Sequence, residues 1–182
     1  TCRLAVVGDK GAGKTSLIYR FSRDRLPSAD ERLLSVLDTD DMDISRDGSQ
    51  IRLVVHDTSG DDDYAKVRAL LYNQVDGIIL CFSLDSPKSL ARLQLDWSPE
   101  LRHLCHETPF VLVGTKKDLR DKAKLRASVC ERVFVTKKQG KQLAKHISAN
   151  AYLECSALDS ESKGKDVKRV FGRAMRESMK RR

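Results

Sequence analysis

Aromatic residues are scarce in this chain: one tryptophan, four tyrosines and five phenylalanines among 182 residues. So few rings offer little of a stacking platform, and nucleic-acid binding is not expected. No apolar run approaches the roughly 20 residues that a membrane span needs. The five cysteines, at 2, 81, 105, 130 and 155, include no close pair of the kind that builds a metal knuckle. Cys81 and Cys155 lie in apolar runs and read as reduced core residues, so a reducing cytosol is the expected compartment. Internal repeats and low-complexity linkers are lacking too, and the first residues enter an apolar run with no signal-peptide layout. At this length a single domain over residues 1–182, with a full-sized core, is expected.

Charge is plentiful but unevenly placed. The net +8 conceals a stretch from 38 to 63 that holds nine aspartates against Arg46 and Arg52. From Lys116 onward the chain is basic, and residues 163–182 carry nine Lys/Arg against Asp166 and Glu177. Most of that helical segment reads as a solvated face, while its Met179-Lys180-Arg181-Arg182 ending can touch anionic lipid.

Apolar, strand-like runs recur at 3–7, 51–56, 77–83, 110–114 and 151–155, separated by helical stretches at 14–22, 63–73, 86–105, 137–148 and 164–179. In the last, Val167, Val170, Phe171, Ala174 and Met175 make one amphipathic face. A further strand at 37–45, the turn Arg46-Asp47-Gly48-Ser49 and the run at 51–56 read as a hairpin. The alternation predicts an α/β fold: a six-stranded, mostly parallel sheet with one antiparallel edge strand, flanked by helices. Ligands of such sheets bind beyond the carboxyl ends of the strands.

The segment Gly8-Asp9-Lys10-Gly11-Ala12-Gly13-Lys14-Thr15 fits the phosphate-loop pattern, placed between a strand and a helix as that pattern requires. Its amides and those of Ser16 make an anion nest, Lys14 reaches the β- and γ-phosphates, and the Thr15 hydroxyl faces Mg²⁺. Asp57-Thr58-Ser59-Gly60 supplies a carboxylate that holds Mg²⁺ through water and a Gly60 amide for a γ-phosphate. Thr115-Lys116-Lys117-Asp118 places a carboxylate where it can accept guanine N1–H and the 2-amino group, with the Lys116 stem along the base. A lone Asp after a strand is more often a helix cap. Ser156-Ala157 can present an amide to guanine O6, and four such stations in order predict GTP or GDP with Mg²⁺ as ligands.

On these residues the chain resembles the small Ras-like GTPases, and within them the Rho/Rac family. The likeness extends over Leu80-Cys81-Phe82-Ser83-Leu84, Trp97-Ser98-Pro99-Glu100-Leu101-Arg102-His103, Leu112 to Arg120, and Tyr152-Leu153-Glu154-Cys155-Ser156-Ala157-Leu158. It implies a P-loop G domain with a short Rho-type insert near 120–131. Leu119 and Leu158 join the base site by the same resemblance. Effector proteins would meet Val36, Leu37, Asp38, Tyr64 and Leu70 in the two switch segments, and exchange factors would act on the same protein. A monomer, cytoplasmic or peripheral on the inner face of a membrane, is expected.

Four departures from the family pattern bear on mechanism. Lys10 replaces a glycine, and its side chain is expected to intrude on the attacking water or to lie on the γ-phosphate. Asp61 replaces the water-orienting glutamine with a shorter anion that has no donor. Switch I offers Ser35 where the family has a threonine over Mg²⁺, and an ungapped count from Thr15 lands on Leu33 instead. Leu26 before Pro27 replaces an aromatic against the guanine, at a cost of about 1–2 kcal/mol. The expected protein is an atypical Rho-like switch that hydrolyses GTP poorly or not at all and responds weakly to activating proteins. A pseudo-GTPase scaffold and a slow but genuine GTPase are the other readings.

Overall fold

Strand periodicity and the two apolar faces of the central strands build a three-layer molecule. The structure is a computed structural model and describes residues 1–34, 37–46, 48–125, 133–158 and 164–180, with the side chains of 32–34, 37 and 46 outside that description. Six strands, β1 Cys2–Gly8, β2 Leu37–Arg46, β3 Ser49–Thr58, β4 Gly77–Ser83, β5 Phe110–Thr115 and β6 Ala151–Glu154, form one sheet in the order β2-β3-β1-β4-β5-β6. Only the β2–β3 pair is antiparallel. Along β1, Leu4 and Val6 point to one core and Ala5 and Val7 to the other, the period of two that a doubly covered strand imposes.

The first core is closed by α1 Lys14–Arg23 and α8 Lys165–Met179, whose Leu17, Ile18, Val170 and Phe171 are buried there. Phe21 stacks on Phe171 at 4.0 Å between ring centroids. The second core is closed by α3 Ala65–Tyr72, α5 Ser98–Leu104 and α7 Lys137–His146. A short helix α2 Ala29–Leu34 lies between α1 and β2. The stretch expected as one helix at 86–105 is α4 Pro87–Arg92, a π-helical turn Leu93–Trp97 and then α5.

Register carries the strand ends to one side of the sheet: Val6 pairs with Asp57, Gly8 with Cys81, Ser83 with Thr115 and Gly114 with Glu154. Strand β3 is longer than its apolar run, because β1 and β2 partner it through Asp57 and Thr58, respectively. Asp57 therefore sits inside the strand rather than after it. Helix α6 Lys117–Leu125 begins before the insert expected at 120–131, whose remainder from 126 lies outside the described residues, as do Asp47 and the final Arg181-Arg182.

Candidate guanine-nucleotide site

The phosphate loop closes on itself through backbone that few side chains tolerate. Gly11 and Gly13 have φ of 79° and 84°, and Ala12 N–H donates to Asp9 O at 3.1 Å. Lys14 is buried, and its ammonium donates to Gly8 O at 2.8 Å and Asp9 O at 2.9 Å. An ammonium has three donors, so one remains for a phosphoryl oxygen. Burial lowers the pKa of this lysine, and Asp57 opposes the shift.

Thr15 Oγ1 donates to Asp57 Oδ2 at 2.5 Å. Asp57 Oδ1 is buried and accepts no hydrogen bond, and burial pushes the carboxyl up to about 6 against the pull of Thr15 and Lys14. A buried carboxylate oxygen without a donor, beside a hydroxyl and an ammonium, fits an oxygen-seeking divalent cation. Thr15 and Asp57 would hold Mg²⁺, which neutralises phosphoryl charge when bound. Ser35, the third expected ligand, and Val36 lie outside the described residues, and the side chain of Leu37 does too.

The base cavity measures about 220 Å³ and is lined by Gly13, Ser16, Leu17, Leu26, Thr115, Lys116, Asp118, Cys155, Ser156, Ala157 and Leu158. Ser156 Oγ donates to Asp118 Oδ1 at 2.5 Å, which aims the carboxylate. Asp118 Oδ2 is buried and accepts no hydrogen bond, with Lys122 Nζ 3.8 Å away. That acceptor suits the paired donors on a guanine edge. Lys116 has a left-handed φ of 56°, and its Nζ lies 3.7 Å from Asp85.

Several expected residues stand elsewhere or do another task. Leu119 does not line the cavity; its N–H donates to Lys116 O at 3.1 Å in the first turn of α6. Thr115 lines the cavity, but its hydroxyl faces Ala12 O at 2.6 Å and Phe82 O at 3.0 Å, tying the base segment to the phosphate loop. Lys10 is exposed and lines a cleft of about 410 Å³ toward α4, with Lys88, Arg92 and Lys116. The Lys10 backbone is pressed against Gly60. A methyl group at Gly60 would overlap the backbone of Lys10 and Asp9.

The Asp61 carboxylate accepts from Asp63 N at 3.3 Å and caps the 3₁₀ turn Asp62–Tyr64. The residue at the family's water-orienting position is thus a turn cap. Tyr64 is half-buried, whereas Leu70 is 70% exposed and Asp38 is exposed on the edge strand.

Sequence reasoning missed the second rank of the site. Arg68, 2% exposed, donates to Ser59 O at 3.0 Å and Asp61 O at 2.7 Å and pairs with Glu100 at 3.1 Å, while Tyr72 OH donates to Glu100 at 2.6 Å. Trp97 Nε1 donates to Asp9 Oδ1 at 2.8 Å, and Arg92 reaches Asp9, Asp62 and Asp96 at 3.4, 3.1 and 2.8 Å. Arg20 Nε donates to Ala157 O at 2.7 Å and steadies the loop that lines the cavity. Nothing in local spacing signals these partners, which lie up to 137 residues away.

A glycine-built phosphate loop, a threonine–aspartate metal pair and a cavity with an aimed carboxylate, all at the carboxyl edge of a parallel sheet, define a P-loop nucleotide-binding domain. The sequence model of the Ras family matches residues 3–180. The chain belongs to the Ras family and is a small GTP-binding switch with a Ras-like G domain. Members of that class bind guanine nucleotides, typically with Mg²⁺, and generally interact with effectors, exchange factors and activating proteins.

Proposed function

We propose that this protein is an atypical, Rho-like guanine-nucleotide switch that holds GTP and Mg²⁺ and hydrolyses the nucleotide poorly. The observation that carries the reading is the Asp61 carboxylate, an acceptor-only group already engaged as the cap of Asp62–Tyr64. It has no donor for a phosphoryl oxygen, so it cannot both hold the water and stabilise the transition state. Lys10 adds a long cationic side chain to a loop position where an inserted arginine would need room.

The resident nucleotide is then governed by exchange and partner binding rather than by activating proteins. Leu26 gives the base less contact than an aromatic ring and favours release, and the cell's excess of GTP reloads the site. Ser35 supplies a switch I hydroxyl to the metal in this reading. Partners meet Val36, Leu37 and Asp38 on one side and Tyr64 and Leu70 on the other. The exposed basic residue Lys180 begins an ending that contacts anionic lipid at the inner face of a membrane.

Denaturing the purified protein and separating its nucleotide by ion exchange should give GTP. Single-turnover hydrolysis should rise at least ~10-fold in the Lys10→Gly/Asp61→Gln double variant, because the donor is restored and the loop cleared. GDP in the native protein, with no gain in the variant, refutes the impaired-hydrolysis reading. An empty site would assign the protein to static scaffolding instead.

A further inference from the structure

We propose that the basic edge of the sheet, formed by α6 and α7, is a docking surface for an anionic phospholipid membrane, separate from the basic ending of the chain. Strand order places the charge. The aspartate-rich strand β2 is one edge of the sheet and β6 the other, with α7 packed on β6 through Gly140 against Tyr152 and α6 tied to it by Arg120 and Glu154. From Lys116 to Glu154 the chain holds 11 Lys/Arg and 4 Asp/Glu. Five strand spacings separate the edges by about 24 Å. That is about three Debye lengths at physiological salt, so an approaching surface feels the basic edge with the acidic one screened away.

The composition of this edge suits lipid headgroups. The exposed cations of α6 and α7 are Lys122, Lys124, Lys137, Lys138, Lys141 and Lys145, every one a lysine, and α7 contains no acid. Four of them border one open surface depression with Gln142. Lysine is a hydrated point charge suited to a diffuse anionic layer, whereas nucleic-acid phosphates are gripped by arginine forks and aromatic faces. Two large apolar side chains flank the lysines: Leu125, 85% exposed at the end of α6, and Val133, 71% exposed before α7. Lysines beside bare aliphatic groups make an interfacial surface, the charges attracted to the headgroups and the apolar groups entering the acyl boundary. So docked, the membrane meets β6 while β2 points to the cytosol, open to protein partners.

Co-sedimentation of nucleotide-loaded protein with vesicles tests this. Phosphatidylcholine vesicles should retain little, and vesicles with about 30 mol% phosphatidylserine should retain the protein in a salt-sensitive manner. Lys138→Gln/Lys141→Gln should lower partitioning about fivefold per lysine, and Leu125→Ser should lower it further. Lys180→Gln, on the basic ending, should cost no more than a single lysine. Nucleotide affinity and melting temperature serve as folding controls, and Lys137→Gln/Lys145→Gln repeats the test should the first pair perturb α7. Unchanged partitioning in both lysine pairs overturns the proposal. So does tighter binding of a single-stranded oligouridylate than of the anionic vesicles, which would make the edge a nucleic-acid surface.

Discussion

Asp57 is the residue at which chemistry and stability meet most directly. Its carboxyl titrates near 3.8 when unfolded and near 6 in the fold, because burial opposes the charge more than Thr15 and Lys14 favour it. Between those values the folded, metal-free protein binds a proton that the unfolded chain does not. That stabilisation is complete below about pH 3.8 and is lost as pH rises through about 6. A divalent cation relieves the charge that then appears. The gain in melting temperature from Mg²⁺ should therefore be small at pH 5 and large at pH 7.5, as scanning fluorimetry would read. An equal gain at both would mean that this carboxylate is not the metal's partner. Asp118 gives a companion prediction. Asp118→Ala should weaken GTP by at least ~100-fold and ATP hardly at all, since only guanine offers the paired donors that its free oxygen accepts; competition against a fluorescent guanine nucleotide measures both.

The segment 59–64, at the scale of an element, is held from behind as well as by its own turn. Arg68 gathers two carbonyls of the segment and the Glu100 carboxylate, and its guanidinium lies 4.6 Å over the Trp97 ring. Arg68→Ala would leave Glu100 without its cation and should cost about 2–3 kcal/mol. For a chain of this size the melting temperature would fall roughly 5–10 °C. Arg92, more exposed, should behave differently. Its loss should change the melting temperature little, yet amide exchange at 59–64 should quicken because Asp62 is no longer drawn toward the phosphate loop. These ties also mark the limit of sequence reading. Strands, order of motifs and the amphipathic α8 were legible because each rests on local periodicity. Arg68, Trp97 and Arg92 were not, because their roles are set by which elements become neighbours. Helix α2 was legible and overlooked. Ser28-Ala29-Asp30-Glu31 is a capping box, with Ser28 N–H donating to Glu31 at 2.8 Å and Glu31 N–H donating to Ser28 Oγ at 3.3 Å.

For the molecule as a whole, the arrangement of strands turns a linear charge pattern into a spatial one. The acidic stretch could be read from the chain, but its placement at the far edge from the lysines follows only from the order β2-β3-β1-β4-β5-β6. Proteins that bind the β2 edge should be basic, and their association rates should fall as salt rises, by tenfold or more between low and physiological ionic strength. Stopped-flow association with any identified partner checks this, and Asp41→Lys/Asp43→Lys should remove most of the salt dependence. Gly60 shows the same limit in the site: its place after Asp57 was legible, but its packing against the backbone of Lys10 and Asp9 was not.

The Thr115 hydroxyl, set between Ala12 O and Phe82 O, joins the segment that lines the candidate base cavity to the glycine-built loop. Ligand halves ought then to help one another. Guanosine and pyrophosphate, offered as separate molecules, should each bind weakly alone and several-fold more tightly in the presence of the other. Thr115→Val would leave both half-sites standing and remove that mutual assistance. The nucleotide's intact covalent bond would then be the main thing making its two ends act as one.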